Sequence, residues 1–426
     1  MKIYELNKMS EEEKNEIIER NKMIIEGIKE KVKPIIEEIR EDGDKAVLKY
    51  AKMFDKVNLS VLRVSDDEIR EAYGKAGKEI VEAIKKQISY SKKFQEAQLK
   101  ERKWQMEISP GVMAGQIIKP IESVGLYIPG GTATYPTVMQ ILAVAAKAAG
   151  VKRIIACTPN PSPAVLAAAD LAGVDEVYRI GGIQAIAAMA YGTETIKPVK
   201  KISGPGNIYV TAAKILVSGE VAIDMPAGPS EILIIADETS NPRFLASDML
   251  AQAEHDKNAS CVLVTSSRRI ADSTIEEIKK QKKNLTRQKI LNESLNKNGA
   301  VIITKNIGEA IKFSNLYAPE HLLIATKNEE EILERIESAG SVYLGNYSPV
   351  AIGDYASGVN HVLPTAQFAK MYSAVGIDTF IKKIEFERIT KTALQRLNNE
   401  IVQKIAKLEG LDAHAKSVEI RFEEEK

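Results

Sequence analysis

At 426 residues, 44% hydrophobic and 27% charged, the chain has the composition of a soluble globular protein and is too long for one hydrophobic core. Its 59 basic and 58 acidic residues leave a net charge of +1, which gives no electrostatic basis for nucleic acid or an anionic membrane as partner. The opening Met1-Lys2-Ile3-Tyr4-Glu5-Leu6 lacks the apolar run of a signal peptide, and the most apolar stretch, 138–149, falls short of the ~20 residues of a membrane span and is cut by Lys147. The only cysteines, Cys157 and Cys261, fall in expected strands and read as small core residues, so a reducing cytoplasm is the expected setting.

Residues 11–55 and 67–99 are charged and helical in period. Ser10 with Glu13 fits a capping box. Ile17, Ile18, Ile24, Ile25, Ile28, Val32, Ile35, Ile36 and Ile39 mark a buried stripe, which Asp42-Gly43-Asp44 breaks. Residues 1–119 are therefore expected to be a helical scaffold or oligomer-forming region without chemistry.

From about residue 120 strands alternate with helices. Strand 124–128, helix 136–149, strand 153–157, helix 164–172, strand 176–180, helices 183–190 and 209–217, and a closing strand at 231–236 predict a parallel, doubly wound sheet over 120–237. A second round over 238–380 has strands at 260–265, 300–304, 322–325 and 341–344, with helices at 270–281, 307–316 and 329–337. The fold class expected is α/β with two Rossmann-like domains and a cleft between them. Residues 381–426 read as a helical tail, with a charged helix at about 385–407, able to reach another subunit.

The chemistry-bearing residues cluster. All four histidines, His255, His321, His361 and His414, lie beyond residue 254, each in a stretch dense in carboxylates, glycines or prolines. Gln252 and His255, three apart on an expected helix, share a face, although such a pair is common on solvated helices. Ala318-Pro319-Glu320-His321-Leu322 sets a carboxylate beside an imidazole just before a strand, either as a titrating pair or as a capped helix end. The polar stretch 341–364 carries Asp354, a plausible hard ligand or an Asx-turn residue, and His361, a plausible substrate contact. Ser230 has no Gly-x-Ser-x-Gly context and no paired base, which leaves it a polar contact rather than a nucleophile. Pro129-Gly130-Gly131-Thr132 and Gly204-Pro205-Gly206-Asn207 are either tight turns or phosphate cradles, and neither has the Rossmann fingerprint or a Walker lysine. One site formed by Gln252, His255, Asp354 and His414 is the economical account, and its nitrogen and oxygen donors suit zinc or a similar divalent ion.

At these motifs the sequence resembles the histidinol dehydrogenase family. The matching stretches are Val124-Gly125-Leu126-Tyr127-Ile128-Pro129-Gly130-Gly131-Thr132, Gly182-Ile183-Gln184-Ala185-Ile186-Ala187, Gly204-Pro205-Gly206-Asn207 and Met225-Pro226-Ala227-Gly228-Pro229-Ser230-Glu231. Gln252-Ala253-Glu254-His255, Ala318-Pro319-Glu320-His321-Leu322, Gly353-Asp354-Tyr355-Ala356-Ser357-Gly358, Asn360-His361-Val362-Leu363-Pro364-Thr365 and Glu409-Gly410-Leu411-Asp412-Ala413-His414 follow in the family's order. The resemblance implies a zinc- and NAD-dependent oxidation of L-histidinol through L-histidinal to L-histidine, on an aldehyde-dehydrogenase-like arrangement of the two domains. It implies zinc on Gln252, His255, Asp354 and His414, and acid–base roles for Glu320 and His321. Ser230, His361 and Glu409 would contact substrate, as would the metal ligands and His321. Tyr127, Gln184 and Asn207 would contact NAD. It also implies a homodimer whose C-terminal tail completes the partner's site. One departure is visible: Asp256 follows His255 where the family is expected to have glycine, which adds a charge beside the metal helix.

In that chemistry His321 takes the hydroxyl proton and Glu320 activates water, while neither cysteine lies in a nucleophile motif, so no thiohemiacetal is expected. Two other readings stay open: a related metal-dependent dehydrogenase of another small polar alcohol, and a non-enzymatic zinc-stabilised oligomer.

Overall fold

The apolar runs at 123–127, 153–157 and 231–236 become strands buried on both faces, as all-parallel sheets require. The computed structural model describes residues 1–20, 24–99, 101–130 and 134–423, and two units emerge: Met1–Gln98 with Ile121–Phe380, and Leu99–Pro120 with Ile381–Lys426. Gly131 and Thr132 of the first glycine turn, and the side chains of Ile24 and Ile25, lie outside the described residues.

The larger unit is mixed α/β with two parallel sheets. The five-stranded sheet runs, edge to edge, through Glu176–Tyr178, Arg153–Cys157, Ser123–Tyr127, Lys201–Ser203 and Ala222–Ile223. Numbered by appearance that order is 3-2-1-4-5, the doubly wound pattern, with its topological switch between Ser123–Tyr127 and Lys201–Ser203. The six-stranded sheet runs through Lys2–Glu5, Gly299–Ile303, Ser260–Thr265, Glu231–Ala236, His321–Ala325 and Ser341–Leu344. Without its added N-terminal strand it repeats 3-2-1-4-5, and its switch lies between Glu231–Ala236 and His321–Ala325.

Glu231–Ala236 was expected to close the first block. It is instead the first strand of the second sheet, paired with Ser260–Thr265 and His321–Ala325. Its Glu-Ile-Leu-Ile-Ile-Ala sequence identifies a fully buried strand but carries no information about which sheet buries it.

The N-terminal region is not purely helical. Ser10 does form the expected capping box on the helix Glu11–Ile18. Lys2–Glu5, however, joins the second sheet, while Val32, Ile36, Ile39 and Val47 of the long helix Ile24–Tyr50 pack into the core against the first. Among the described residues no helix is long and apolar enough to cross a membrane.

The smaller unit corrects the expectation of helix on both sides. Lys103–Ser109, Val112–Pro120 and Ile381–Ile389 form an antiparallel three-stranded sheet, so the expected helix at 385–407 starts only at Lys391, capped by Thr390. The period-two alternation of Trp104, Met106 and Ile108, and of Ile384 and Phe386 between charges, is the strand signal that charge density masked. Short helices, among them Gln403–Leu408 and Asp412–Glu419, complete this unit.

Candidate active site

A cavity of about 850 Å³ opens at the carboxyl ends of the first sheet. Tyr127 enters it from the end of strand Ser123–Tyr127 and Pro129 and Gly130 from just beyond, and Asn207 and Tyr209 enter from beyond Lys201–Ser203, so it straddles the topological switch. Ser162, Gly182 and Asn207, at the starts of the helices Pro163–Leu171, Gly182–Tyr191 and Ile208–Val217, also line it. Tyr127 is buried, and its hydroxyl oxygen accepts the Gly182 N–H at 3.1 Å. Gln184 is fully buried behind the wall, where its amide nitrogen donates to Asp55 Oδ2 at 2.9 Å and its Oε1 has no partner. Asn207 Oδ1 is committed to capping its helix, accepting the Tyr209 and Val210 N–H groups.

The second glycine turn is locked from below. Gly204 sits at φ +136°, and a Cβ there would lie 2.1 Å from the Tyr127 carbonyl oxygen, so only glycine fits. Buried Lys214 pairs with Asp224 and donates to the carbonyls of Gly204 at 3.0 Å and Met225 at 3.1 Å. Asp224 in turn accepts the Gly204 N–H at 2.7 Å.

On the second sheet the expected residues gather at the opposite, leading ends of the strands. Glu320 Oε2 accepts from Ser230 Oγ at 2.6 Å and from the Glu231 N–H at 2.7 Å. Ser230 Oγ in turn accepts the Gln252 amide N–H at 2.7 Å. His321 Nδ1 lies 2.9 Å from the Glu231 carbonyl, which can only accept, so Nδ1 carries the proton and Nε2 faces inward, buried and without a partner. Burial pushes the imidazolium down. The charge of Glu320, the hydrogen bond to it, the charge of Asp354 and the Glu231 carbonyl outweigh burial and lift His321 to about 9.

The helix Pro242–Ala253 is opened by Asn241 and Pro242 and ends beside this edge. Gln252 is buried on it. His255 follows its end, exposed, with Nδ1 facing the Ala251 carbonyl at 2.9 Å, which leaves Nε2 as the ring nitrogen able to coordinate. Asp248 accepts a hydrogen bond from the Val350 N–H, tying this helix to the short helix Val350–Tyr355, which carries Asp354. Burial pushes the Asp248 carboxyl up to about 6. Gly353 packs on Tyr343, where a Cβ would come within 2.5 Å of the ring. His361 has an unpartnered Nδ1; burial pushes its pKa below the usual value, and Asp354, His321, Glu320 and His255 all lie close enough to act on its charge.

Among the described residues no three His, Cys, Asp or Glu side chains form a ready-made metal cluster. The expected set contains a glutamine, and its fourth member, His414, belongs to the smaller unit. The donors in the larger unit nevertheless fit a borderline divalent ion. The Gln252 nitrogen is engaged by Ser230, which leaves its oxygen to coordinate, and His255 Nε2 and the Asp354 carboxylate add one nitrogen and one hard oxygen donor.

A family model described as histidinol dehydrogenase matches residues 18–422. The chain is 49% identical over 413 residues to a histidinol dehydrogenase of Methanothermobacter thermautotrophicus, with 96% of each chain covered. Its identity to that of Methanosarcina mazei is 44% over 422 residues, covering 98% of this chain and 97% of the relative. The crystal structure of histidinol dehydrogenase from Elizabethkingia anophelis superposes with a TM-score of 0.94 at 43% identity, over 99% of this chain and 98% of that one. The chain belongs to the histidinol dehydrogenase family. It is accordingly an oxidoreductase.

Ten of the twelve residues singled out from the sequence thus share the larger unit, and Glu409 and His414 lie in the smaller one, both exposed. Asp256, where the family resemblance led to an expectation of glycine, lies in the turn after the helix Pro242–Ala253, where its carboxylate accepts the Asn258 N–H at 2.7 Å. Two residues escaped sequence reasoning. Glu231 contacts both Glu320 and His321, and Arg20 pairs with Glu231. A glutamate opening a strand otherwise made of Ile, Leu and Ala was the available signal, because a charge in such a run needs a buried partner.

Proposed function

We propose that the chain oxidises L-histidinol through L-histidinal to L-histidine, using zinc and NAD. The observation that carries this reading is His321: an imidazole with Nδ1 held by a backbone carbonyl, an unpartnered buried Nε2, and Glu320 beside it, in a chain of this family.

Gln252, His255, Asp354 and His414 would hold the zinc ion, which supplies a positive anchor for the imidazole and amino groups of histidinol. The cavity at Tyr127 and Asn207, backed by Gln184, would take NAD, the hydride acceptor. Three helix starts on its wall suit a pyrophosphate. Ser230, His361 and Glu409 contact substrate. His321 Nε2 takes the hydroxyl proton as the carbinol C–H bond breaks and its electron pair leaves as hydride, giving the aldehyde. Water then adds to the carbonyl carbon as Glu320 takes one of its protons and His321 returns the proton it holds to the carbonyl oxygen, giving the gem-diol. Loss of a second hydride yields the carboxylate. The neighbouring charges lift His321 to about 9, and a cationic amino alcohol arriving beside it lowers that toward the working range.

The exposed apolar side chains of the smaller unit, Trp104 at 45%, Ile108 at 60% and Leu408 at 82%, support a homodimer in which this unit completes the partner's site. The two buried, unpaired cysteines support a cytoplasmic setting. The test is NADH production with histidinol before chelation, after it, and after zinc restoration. Two NADH per histidinol, lost on chelation and regained with zinc, is the expected result; no histidinol-dependent signal in the zinc-loaded protein overturns the reading.

A further inference from the structure

Behind the proposed acid–base pair lies an ion pair that the mechanism does not use. Arg20 follows the helix Glu11–Ile18 and is 8% exposed; Glu231 opens its strand and is 1% exposed. The guanidinium grips the carboxylate as a fork, Nε to Oε2 at 2.7 Å and Nη2 to Oε1 at 2.6 Å. Its remaining nitrogen donates to the carbonyls of Ile18 at 2.8 Å and Tyr317 at 3.0 Å, and its plane lies 3.2 Å from the centre of the Tyr317 ring. Tyr317 is itself tied to Ser260, 2.9 Å away.

Glu231 meets the proposed pair with three separate groups. Its N–H donates to the Glu320 carboxylate at 2.7 Å and its C=O accepts from His321 Nδ1 at 2.9 Å. Its carboxylate accepts the N–H groups of Glu320 at 3.3 Å and of Ala366 at 3.2 Å. These bonds set the rotamer of Glu320 and the tautomer of His321: a backbone shift at Glu231 displaces both, and loss of its carboxylate frees the Glu320 and Ala366 N–H groups. A glutamate this deeply buried keeps its charge only against a cation, and Arg20 supplies one from 211 residues away in the chain.

Resting on the proposed roles of Glu320 and His321, we infer that Arg20 is a positioning residue for the oxidation: through Glu231 it fixes the tautomer and aim of His321 and the orientation of the Glu320 carboxylate. Arginine serves this place better than lysine, because two bonds to one carboxylate, two to carbonyls and a contact with the Tyr317 ring suit a guanidinium.

The experiment compares wild type, Arg20→Lys, Arg20→Met and the double variant Arg20→Met/Glu231→Gln as zinc-loaded full chains. It measures kcat and KM with histidinol and with histidinal, and NADH affinity. Arg20→Met should lower kcat about 100-fold in both half-reactions, the order expected when a general acid–base pair is misaligned, with KM values and NADH affinity within threefold. Arg20→Lys should fall between Arg20→Met and wild type. The double variant removes both charges and keeps an amide oxygen for the Glu320 and Ala366 N–H groups, so it should fold even where Arg20→Met does not and should recover at least a tenfold share of kcat. Wild-type kcat in a folded Arg20→Met overturns the inference, and so does a double variant whose kcat is no better than that of a folded Arg20→Met. If Arg20→Met does not fold, a double variant within twofold of wild type supports it, and one down 100-fold or more overturns it. A wild type inert toward histidinol overturns the functional reading itself and the inference with it, whereas an active wild type matched by Arg20→Met overturns the inference alone.

Discussion

The two sheets of the larger unit share one topology, 3-2-1-4-5, and offer opposite ends of it. The first opens its cavity at the carboxyl ends of the two strands flanking its switch, where doubly wound sheets usually bind ligands. The second gathers Ser230, Glu231, Glu320 and His321 at the starts of the equivalent strands. At a carboxyl end the departing loops and helix starts offer N–H groups, which suit anionic phosphates. At a leading end the segments arriving at the strands bring carbonyls, carboxylates and imidazoles, which suit proton transfer and a cation. Equal topology therefore says nothing about which edge works; the residues at each edge decide.

That division predicts separable defects. The largest is expected from Glu320→Gln: overall rate down roughly 10²–10⁴-fold, with the aldehyde-to-acid half hit hardest, while histidinol and NADH still bind. Separate assays with histidinol and histidinal measure this, and equal loss of NADH affinity would break the separation.

Next come two glycines, one for each edge. Gly204→Ala should weaken NADH binding about tenfold without touching metal content, because its Cβ meets the Tyr127 carbonyl oxygen. Gly353→Val should do the reverse, since a side chain against Tyr343 displaces the helix carrying Asp354. Fluorescence titration with NADH and metal analysis of both variants read the two effects.

Smaller still is a pH effect confined to the leading edge. The folded pKa of His321, about 9, lies above the unfolded value near 6.5, so its protonation stabilises the fold. That contribution, a few kcal/mol at most, is fully present below about pH 6.5 and is lost as pH rises through about 9. Chelated protein should melt at progressively lower temperature across this window, and His321→Asn should flatten the slope. An equal slope in that variant would assign the effect elsewhere.

The least effect is expected from Cys157→Ser with Cys261→Ser. Both thiols are buried within strands, and burial pushes Cys261 up to about 12 and Cys157 up as well, so neither is a nucleophile at neutral pH. A folded double variant should keep its turnover within about twofold, and loss of nearly all turnover would put a covalent thiohemiacetal back in play.

Much of this was legible in the sequence. The βα alternation shows in local apolar periods because each strand of a parallel sheet is buried on both faces, and the histidines, Gln252 and Asp354 stand out because ligand chemistry demands particular residue types. Three features were not legible, each for a physical reason. The strand 231–236 has the same apolar pattern whichever sheet buries it, and only pairing with Ser260–Thr265 and His321–Ala325 assigned it. The strand Ile381–Ile389 looked helical because charge density is no guide to period, and only its partner Val112–Pro120 settles it. Arg20 looked like one more basic residue after a charged helix, because a buried ion pair is a contact between residues far apart in sequence. Residue types and local periods thus determined the element kinds and the chemistry available, whereas which sheet, which edge and which distant arginine completes it were decided by tertiary packing, where pairing and burial are non-local.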